Sequence, residues 1–183
     1  MLQQPAITFS VDVLKGKEVI TKSTYLADLT NLFKNEEARL DMPQDQLIYR
    51  VTLYKPVAEG TPGGLFFGTT IIEPGQIATE YFMTRGHFHA RGDRAEYYWC
   101  IQGEGALLLM DRKRNIRAER MYPGSLHYIP AHTAHRTINT STEPLSFGAC
   151  WPADAGYDYE GIAHHGFSGR IFQVDNVPQL VKL

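Results

Sequence analysis

The sequence predicts an all-β domain in the main, a barrel or sandwich of short antiparallel strands with one helix packed outside it. Three observations carry this. From residue 48 onward, short apolar and β-branched runs follow one another closely. Gly and Pro punctuate them at 62–64, 73–75, 102–105 and 122–124, where turns are needed. The chain has 183 residues, 43% of them hydrophobic, which suits one domain with one substantial core.

Taken in order, the first element is a helix. STYLADLTNLFKNEEARL, residues 23–40, places Leu26, Leu29, Leu32, Phe33 and Leu40 at near-helical spacing. Ser23 or Thr24 can cap its start, and Pro43 makes a stop soon after its end. The strands follow as IYRVTLYK (48–55), GLFFGTTII (64–72), TEYFMTRGHFH (79–89), AEYYWCIQ (95–102) and GALLLM (105–110). NIRAERM (115–121), SLHYIP (125–130), HRTIN (135–139) and LSFGACW (145–151) complete them. The expected organisation is a single domain over 1–183, with an N-terminal extension to about 47 and the barrel over about 48–175.

The totals also exclude classes of function. A formal charge of −2 argues against nucleic acid as partner, since domains that bind it usually carry a clear basic excess. No apolar run approaches the roughly 18 residues of a membrane span. The N-terminus MLQQPAITFS lacks the basic and apolar regions of a signal peptide. Cys100 and Cys150 each sit in an apolar run and read as reduced core residues, so a cytoplasmic address is expected.

Chemistry concentrates at four residues. His87 and His89 are two apart, so on a strand both imidazoles share one face while Phe88 turns to the opposite layer. Glu96 lies on the next strand, and the intervening ARGDRA loop can bring its carboxylate beside them. His135 opens a later strand, after a turn that includes His132. Three imidazoles and a carboxylate suit one divalent ion, Fe, Mn, Co, Ni or Zn, and the set alone does not choose among them.

Gly86-His87-x-His89, Glu96 and Gly103, followed by Gly124, Pro130, His135 and Asn139, resemble the two motifs of the cupin superfamily. That resemblance implies a double-stranded β-helix, or jelly-roll, barrel. Six residues separate His89 from Glu96, a longer spacing than in many cupins. TRGHFHARGDRAEYYW (84–99), IPAHTAHRTINTSTEP (129–144) and WPADAGYDYEGIAHHGFS (151–168) are similar to the cupin-type glucose-6-phosphate isomerases of archaea and bacteria. With GTTIIEPG (68–75), the likeness runs from about residue 50 to 170.

The narrower resemblance implies interconversion of glucose 6-phosphate and fructose 6-phosphate in glycolysis and gluconeogenesis, with one divalent metal, Fe(II) foremost, on His87, His89, Glu96 and His135. It implies a phosphate site at Thr70, Thr84 and Gly86, where hydroxyls and a backbone N–H form an anion nest. Strict alternation would put Thr84 and Gly86 on the face opposite His87, so a bulge or twist at Gly86 is required. Tyr98 shares the face of Glu96, and its hydroxyl can bond the sugar or move a proton. PADAGYDY (152–159) is too rich in turn residues for a core strand and reads as a loop over the sugar, with Tyr157 or Tyr159 supplying hydroxyls. Arg85, Arg91, Arg94 and Arg136 can add positive potential at the mouth. The archaeal pattern has Tyr where Trp151 stands, His at Tyr157 and Tyr at His132. His132 is therefore the candidate acid–base group for ring opening, while His127, His164 and His165 are unassigned.

Two routes for hydrogen stay open: a proton shuttled by Glu96 through an enediol, or a direct hydride shift. Mannose 6-phosphate is an alternative substrate, a non-heme iron cupin dioxygenase an alternative chemistry, and a non-catalytic sugar-phosphate sensor a third class. Homodimerisation is implied by analogy with other cupins.

Overall fold

The computed structural model describes residues 2–10 and 13–183. Strands β1 (Ile7–Ser10), β2 (Val13–Gly16) and β3 (Val19–Tyr25) come first, then a 3-10 turn at Leu26–Leu29 and helix α1 (Glu36–Leu40). Strands β4 (Leu47–Tyr54), β5 (Leu65–Ile72), β6 (Gln76–Ile77) and β7 (Glu80–Tyr81) lead to the candidate metal-binding hairpin. After it come β8 (Glu96–Gln102), β9 (Gly105–Asp111), β10 (Ile116–Met121), β11 (Leu126–Ile129), β12 (Thr133–Asn139) and β13 (Leu145–Pro152). Helix α2 (Glu160–Ala163) precedes the closing hairpin of β14 (Gly169–Val174) and β15 (Val177–Lys182).

The mainly β expectation holds, as a jelly-roll sandwich. A large antiparallel sheet runs β11-β8-β13-β5-β4-β3, and three- and four-stranded sheets run β10-β9-β12 and β15-β14-β7-β6. The ladders do not close into a cylinder. The physical reason lies at 82–89, where a continuous strand was expected. Only isolated bridges occur there, Met83 to Ile138, His87 to His135 and Phe88 to Asp158. Gly86, at φ 75, interrupts the extended backbone between them.

Alternation then sorts the large sheet into two faces. Thr70 lies opposite Val51 on one side and Phe147 on the other, and Ala149 lies between Gly68 and Tyr98. These residues face inward. Strand β9 is buried along nearly its whole length, which explains why GALLLM reads as an unbroken apolar run. Leu107, Leu109, Phe82, Phe147 and Ile72 belong to the principal core, while Leu53, Phe66, Ala149 and Trp151 form a smaller cluster beside the cavity.

The helix expected over 23–40 is not one helix. Ser23 and Thr24 instead pair with Arg50 and Tyr49 as the end of β3, which joins the large sheet. Asn31 takes φ 60, and Asn35 caps a fresh helix by accepting a 2.9 Å bond from the Ala38 N–H. Leu26, Leu29 and Phe33 are buried as their spacing predicts, but Leu40 is exposed. Thr and Asn are poor helix formers, and cross-strand pairing wins over a marginal periodicity. The C-terminal hairpin, absent from the strand expectations, turns at Asp175 and Asn176, both at positive φ, the geometry of a type I′ turn. Among the described residues no helix is long and apolar enough to cross a membrane. Both cysteines are free; Cys100 is buried and Cys150 half-buried.

Candidate metal centre and substrate pocket

His87 and His89 come from the irregular hairpin, Glu96 from the first residue of β8, and His135 from β12. The bridge between His87 and His135 brings the outer pair together, with the His87 N–H donating to the His135 carbonyl at 3.3 Å and the reverse bond at 3.1 Å. One donor atom from each of the four residues lies within 4.8 Å of the others. Glu96 Oε1 is 2.7 Å from His135 Nε2 and 3.3 Å from His89 Nε2.

This set fits a divalent ion. Glu96 Oε1 and His135 Nε2 are buried and 2.7 Å apart, yet neither has a hydrogen-bond partner among the described residues. An orphaned buried polar atom costs about 1–3 kcal/mol, so such a pair calls for a third partner. Adjacent ligands about 2.1 Å from one ion sit about 3 Å apart, close to the 2.7 and 3.3 Å that separate Glu96 Oε1 from His135 and His89. The tautomers suit this too. His89 Nδ1 lies 2.8 Å from the Arg94 carbonyl and His135 Nδ1 3.3 Å from that of Thr133. A carbonyl oxygen only accepts, so each Nδ1 carries the proton and each Nε2 presents its lone pair.

The electrostatics divide the four. Burial would raise the Glu96 carboxyl, but the imidazoles of His135 and His89 outweigh it and hold it at about 2. Burial, then the like charge of His135, pushes His87 well below its ordinary value. For His89 burial acts downward, and the neighbouring Glu96 carboxylate overcomes it, so the net shift is upward.

A cavity of about 500 Å³ opens over the donors, within the range of small-molecule sites. Thr70, Thr84, Gly86, Tyr98, Trp151, Tyr157 and Tyr159 all line it together with the four candidate ligands. Positive φ at Gly86 resolves the alternation problem, since the twist lets Thr84, Gly86 and His87 face one space. A side chain at Gly86 would meet the His135 carbonyl and the Phe167 ring, each at 2.9 Å. The Tyr98 ring packs on Phe147 at 4.8 Å, and burial pushes its hydroxyl well above the ordinary value. Tyr157 and Tyr159 stack at 6.0 Å, with Tyr157 4.8 Å from His87. Burial, ahead of the charges of Tyr159 and Glu96, pushes Tyr157 up to about 12.

Other expected residues lie elsewhere. His132 does not line the cavity; it is exposed, at φ 60, with its ring against Gly92 on the outer loop. Its backbone follows a turn that directs the side chain outward, which removes the ground for an acid–base part in ring opening. Of the four arginines only Arg85 lines the cavity. Arg91 and Arg94 bond Asp154, and Arg136 is buried, donating to the Arg85 carbonyl and stacking on Phe167 at 4.4 Å. His127 is buried between Ser125 and Glu119, whereas His164 and His165 are exposed. The cavity also takes Lys22, Thr24, Tyr49, Lys55 and Glu59 from β3, β4 and the turn after it. For Lys22 and Thr24 the sequence signal is alternation along β3, which overlaps a segment where Ser23 and Thr24 also suit a helix start.

Residues 23–180 match the family described as glucose-6-phosphate isomerase (GPI). The chain belongs to that family. Curated relatives in the GPI family include the glucose-6-phosphate isomerase of Thermococcus onnurineus, 39% identical over 93% of this chain and 92% of the relative. That of Thermococcus litoralis is 42% identical over 86% and 82%. Among solved structures, an oxalate decarboxylase from Bacillus subtilis superposes with a TM-score of 0.46 at 18% identity, covering 60% of this chain and 26% of the other. Within the GPI match fall all four convergent donors and the whole tyrosine loop.

Proposed function

We propose that this chain is a metal-dependent aldose–ketose isomerase that interconverts glucose 6-phosphate and fructose 6-phosphate, acting in cytoplasmic glycolysis and gluconeogenesis. The observation that carries the reading is that the four convergent donors open into the same cavity as Thr70, Thr84 and Gly86, in a chain of the GPI family. His87, His89, Glu96 and His135 hold one divalent ion, Fe(II) foremost, with Mn, Co, Ni and Zn compatible with the same ligands.

When bound, the ion supplies Lewis acidity that polarises the carbonyl of the open-chain sugar. The hydroxyls of Thr70 and Thr84 and the backbone of Gly86 take the phosphate. Arg85 and Lys22, both on the cavity wall, add positive potential for an anionic substrate. Tyr98 remains a neutral O–H donor at neutral pH and gives its hydrogen bond to a sugar oxygen. Tyr157 and Tyr159 wall the sugar from the loop side, and Trp151 closes the end beside Phe66, 5.9 Å from it. Glu96, ionised beside the sugar, either receives the C2 proton or steers a hydrogen that moves directly between C2 and C1.

A coupled assay of fructose 6-phosphate conversion, before and after EDTA, with Fe(II), Mn(II), Co(II), Ni(II) and Zn(II) restored singly, tests the reading. Turnover should vanish with EDTA and return with at least one metal; no turnover with any metal removes the assignment.

The protein acts as a homodimer. Supporting this, Leu126, Tyr128 and Tyr97 are each about half exposed or more on the outer face of β11 and β8, and β11 is the edge of the large sheet. Light scattering should give twice the chain mass, and Tyr128→Glu should yield monomer; a monomeric parent protein would rule the dimer out.

A further inference from the structure

Arg94 faces two ways. Its carbonyl accepts the 2.8 Å hydrogen bond from His89 Nδ1. Its guanidinium forks onto Asp154, Nε donating to Oδ1 at 2.8 Å and Nη2 to Oδ2 at 2.8 Å, while Nη1 bonds Asp93 at 2.8 Å. Arg91 Nη1 adds a bond to Asp154 Oδ2 at 2.7 Å. Asp154 is only 8% exposed, so its carboxylate depends on these partners in place of water.

Asp154 sits at the root of the loop that carries Tyr157 and Tyr159. The Arg91 N–H donates to the Ala155 carbonyl at 2.9 Å, and Phe88 and Asp158 exchange backbone bonds at 3.1 and 2.8 Å. The ladder and the fork therefore run side by side, tying the histidine hairpin to the tyrosine loop. Arg94 alone in this assembly also bonds a candidate ligand, so a shift of its peptide reaches the His89 ring across one hydrogen bond.

We infer that Arg94 and Asp154 form a positioning pair that couples the orientation of His89 to the seating of the loop bearing Tyr157 and Tyr159. Through it, one fork sets both the metal-facing imidazole and the aromatic wall of the sugar pocket. A purely structural ion pair would stabilise the hairpin without touching metal affinity. The inference rests on the metal reading given under Proposed function, though not on the identity of the sugar.

Co(II) binding to the metal-stripped full-length protein, followed by visible absorbance without sugar, separates the two. Arg94→Gln and Asp154→Asn should each weaken Co(II) binding about tenfold, within the range for partners behind a metal ligand. The double variant should be no weaker than either single one, because each removes the same fork. Arg94→Lys, which keeps the charge but cannot fork, should fall between parent and Arg94→Gln. Arg91→Gln, which bonds Asp154 but not His89, should stay close to the parent. Chymotrypsin should cut after Tyr157 and Tyr159 faster in Asp154→Asn than in the parent. Unchanged Co(II) affinity in folded Arg94→Gln and Asp154→Asn overturns the coupling and leaves the metal reading intact. A parent protein that binds no Co(II) overturns both. Should Arg94→Gln fail to fold, Arg94→Lys and Asp154→Asn give the same comparison.

Discussion

Glu96 carries two demands that pull against each other. Held at about 2 by His135 and His89, its carboxylate is well formed as a ligand and weak as a base toward a C–H bond. Glu96→Gln keeps the shape and removes the charge. If Glu96 shuttles the proton, turnover should fall by about 10²–10⁴ while the coupled assay and a Co(II) titration separate chemistry from metal loss. Near-normal turnover with metal still bound would exclude the shuttle and leave the hydride shift. Tyr98→Phe preserves the contacts with Phe147 and His135 but deletes the hydroxyl. The loss should be about 1–3 kcal/mol of transition-state stabilisation, roughly 5- to 150-fold in kcat/KM, at unchanged Tm. An unaltered kcat/KM would reduce Tyr98 to a core aromatic. At this scale His87 and His89 were legible because residues two apart on extended chain share a face, and Glu96 and His135 through the spacing of the cupin-like motifs. The arginines were not, since their charge is visible in sequence but the partner of Arg91 and Arg94, Asp154, lies about 60 residues away. His132 was suggested by its departure from the family pattern and by an imidazole's ordinary range, and a left-handed turn sends it outward.

Among the elements, the hairpin through 82–89 shows how a local exception makes a site. A regular strand there would point Thr84 and Gly86 away from His87, and the cavity would lose its anion nest. Gly86 avoids that by taking φ 75 with its α-carbon hard against β12. Gly86→Ala should cost about 1–3 kcal/mol and lower Tm by several degrees, with a larger loss in substrate affinity than in Co(II) affinity. An unshifted Tm would mean that the backbone there relaxes freely and that the twist is not imposed by glycine. The sequence demanded this bulge once the resemblance placed Thr84 and Gly86 beside the histidines. Strands β4, β5, β8 to β13 were readable to within a few residues from alternation and turn residues. Residues 23–40 were not, because leucines at helical spacing also bury when a strand end, a 3-10 turn and a short helix fold over the core. The Asp175–Asn176 turn is a local hairpin signal, but the segments on either side lack a clear alternating run in sequence.

For the molecule as a whole, protons and metal compete for the same donors. His87 has its folded value depressed, so in the metal-free protein its contribution declines as pH falls below the unfolded histidine value, about 6.5. Glu96 is likewise depressed, and its contribution is present above the unfolded value near 4.3 and is lost as pH falls toward about 2. His89 is shifted upward and acts in the opposite sense, favouring the fold below about 6.5 and losing that effect as pH rises through its folded value. Between pH 7 and 4 the large depression of His87 outweighs the smaller rise of His89, so Tm of the EDTA-treated protein should fall there, and Glu96 adds a further fall only below about 4.3. Metal reverses the deficit where the imidazoles are neutral. At a free concentration 100 times Kd, binding adds about 2.7 kcal/mol, which for a chain of this size is about 5–11 °C in Tm. The increment should shrink as pH drops, because His89, whose value is raised, must shed its proton to bind the ion. Calorimetry with and without Co(II) at pH 7.5, 6.5 and 5.5 reads this directly. A metal increment in Tm that stays constant across those three values would mean that the ion is held by groups other than the imidazoles.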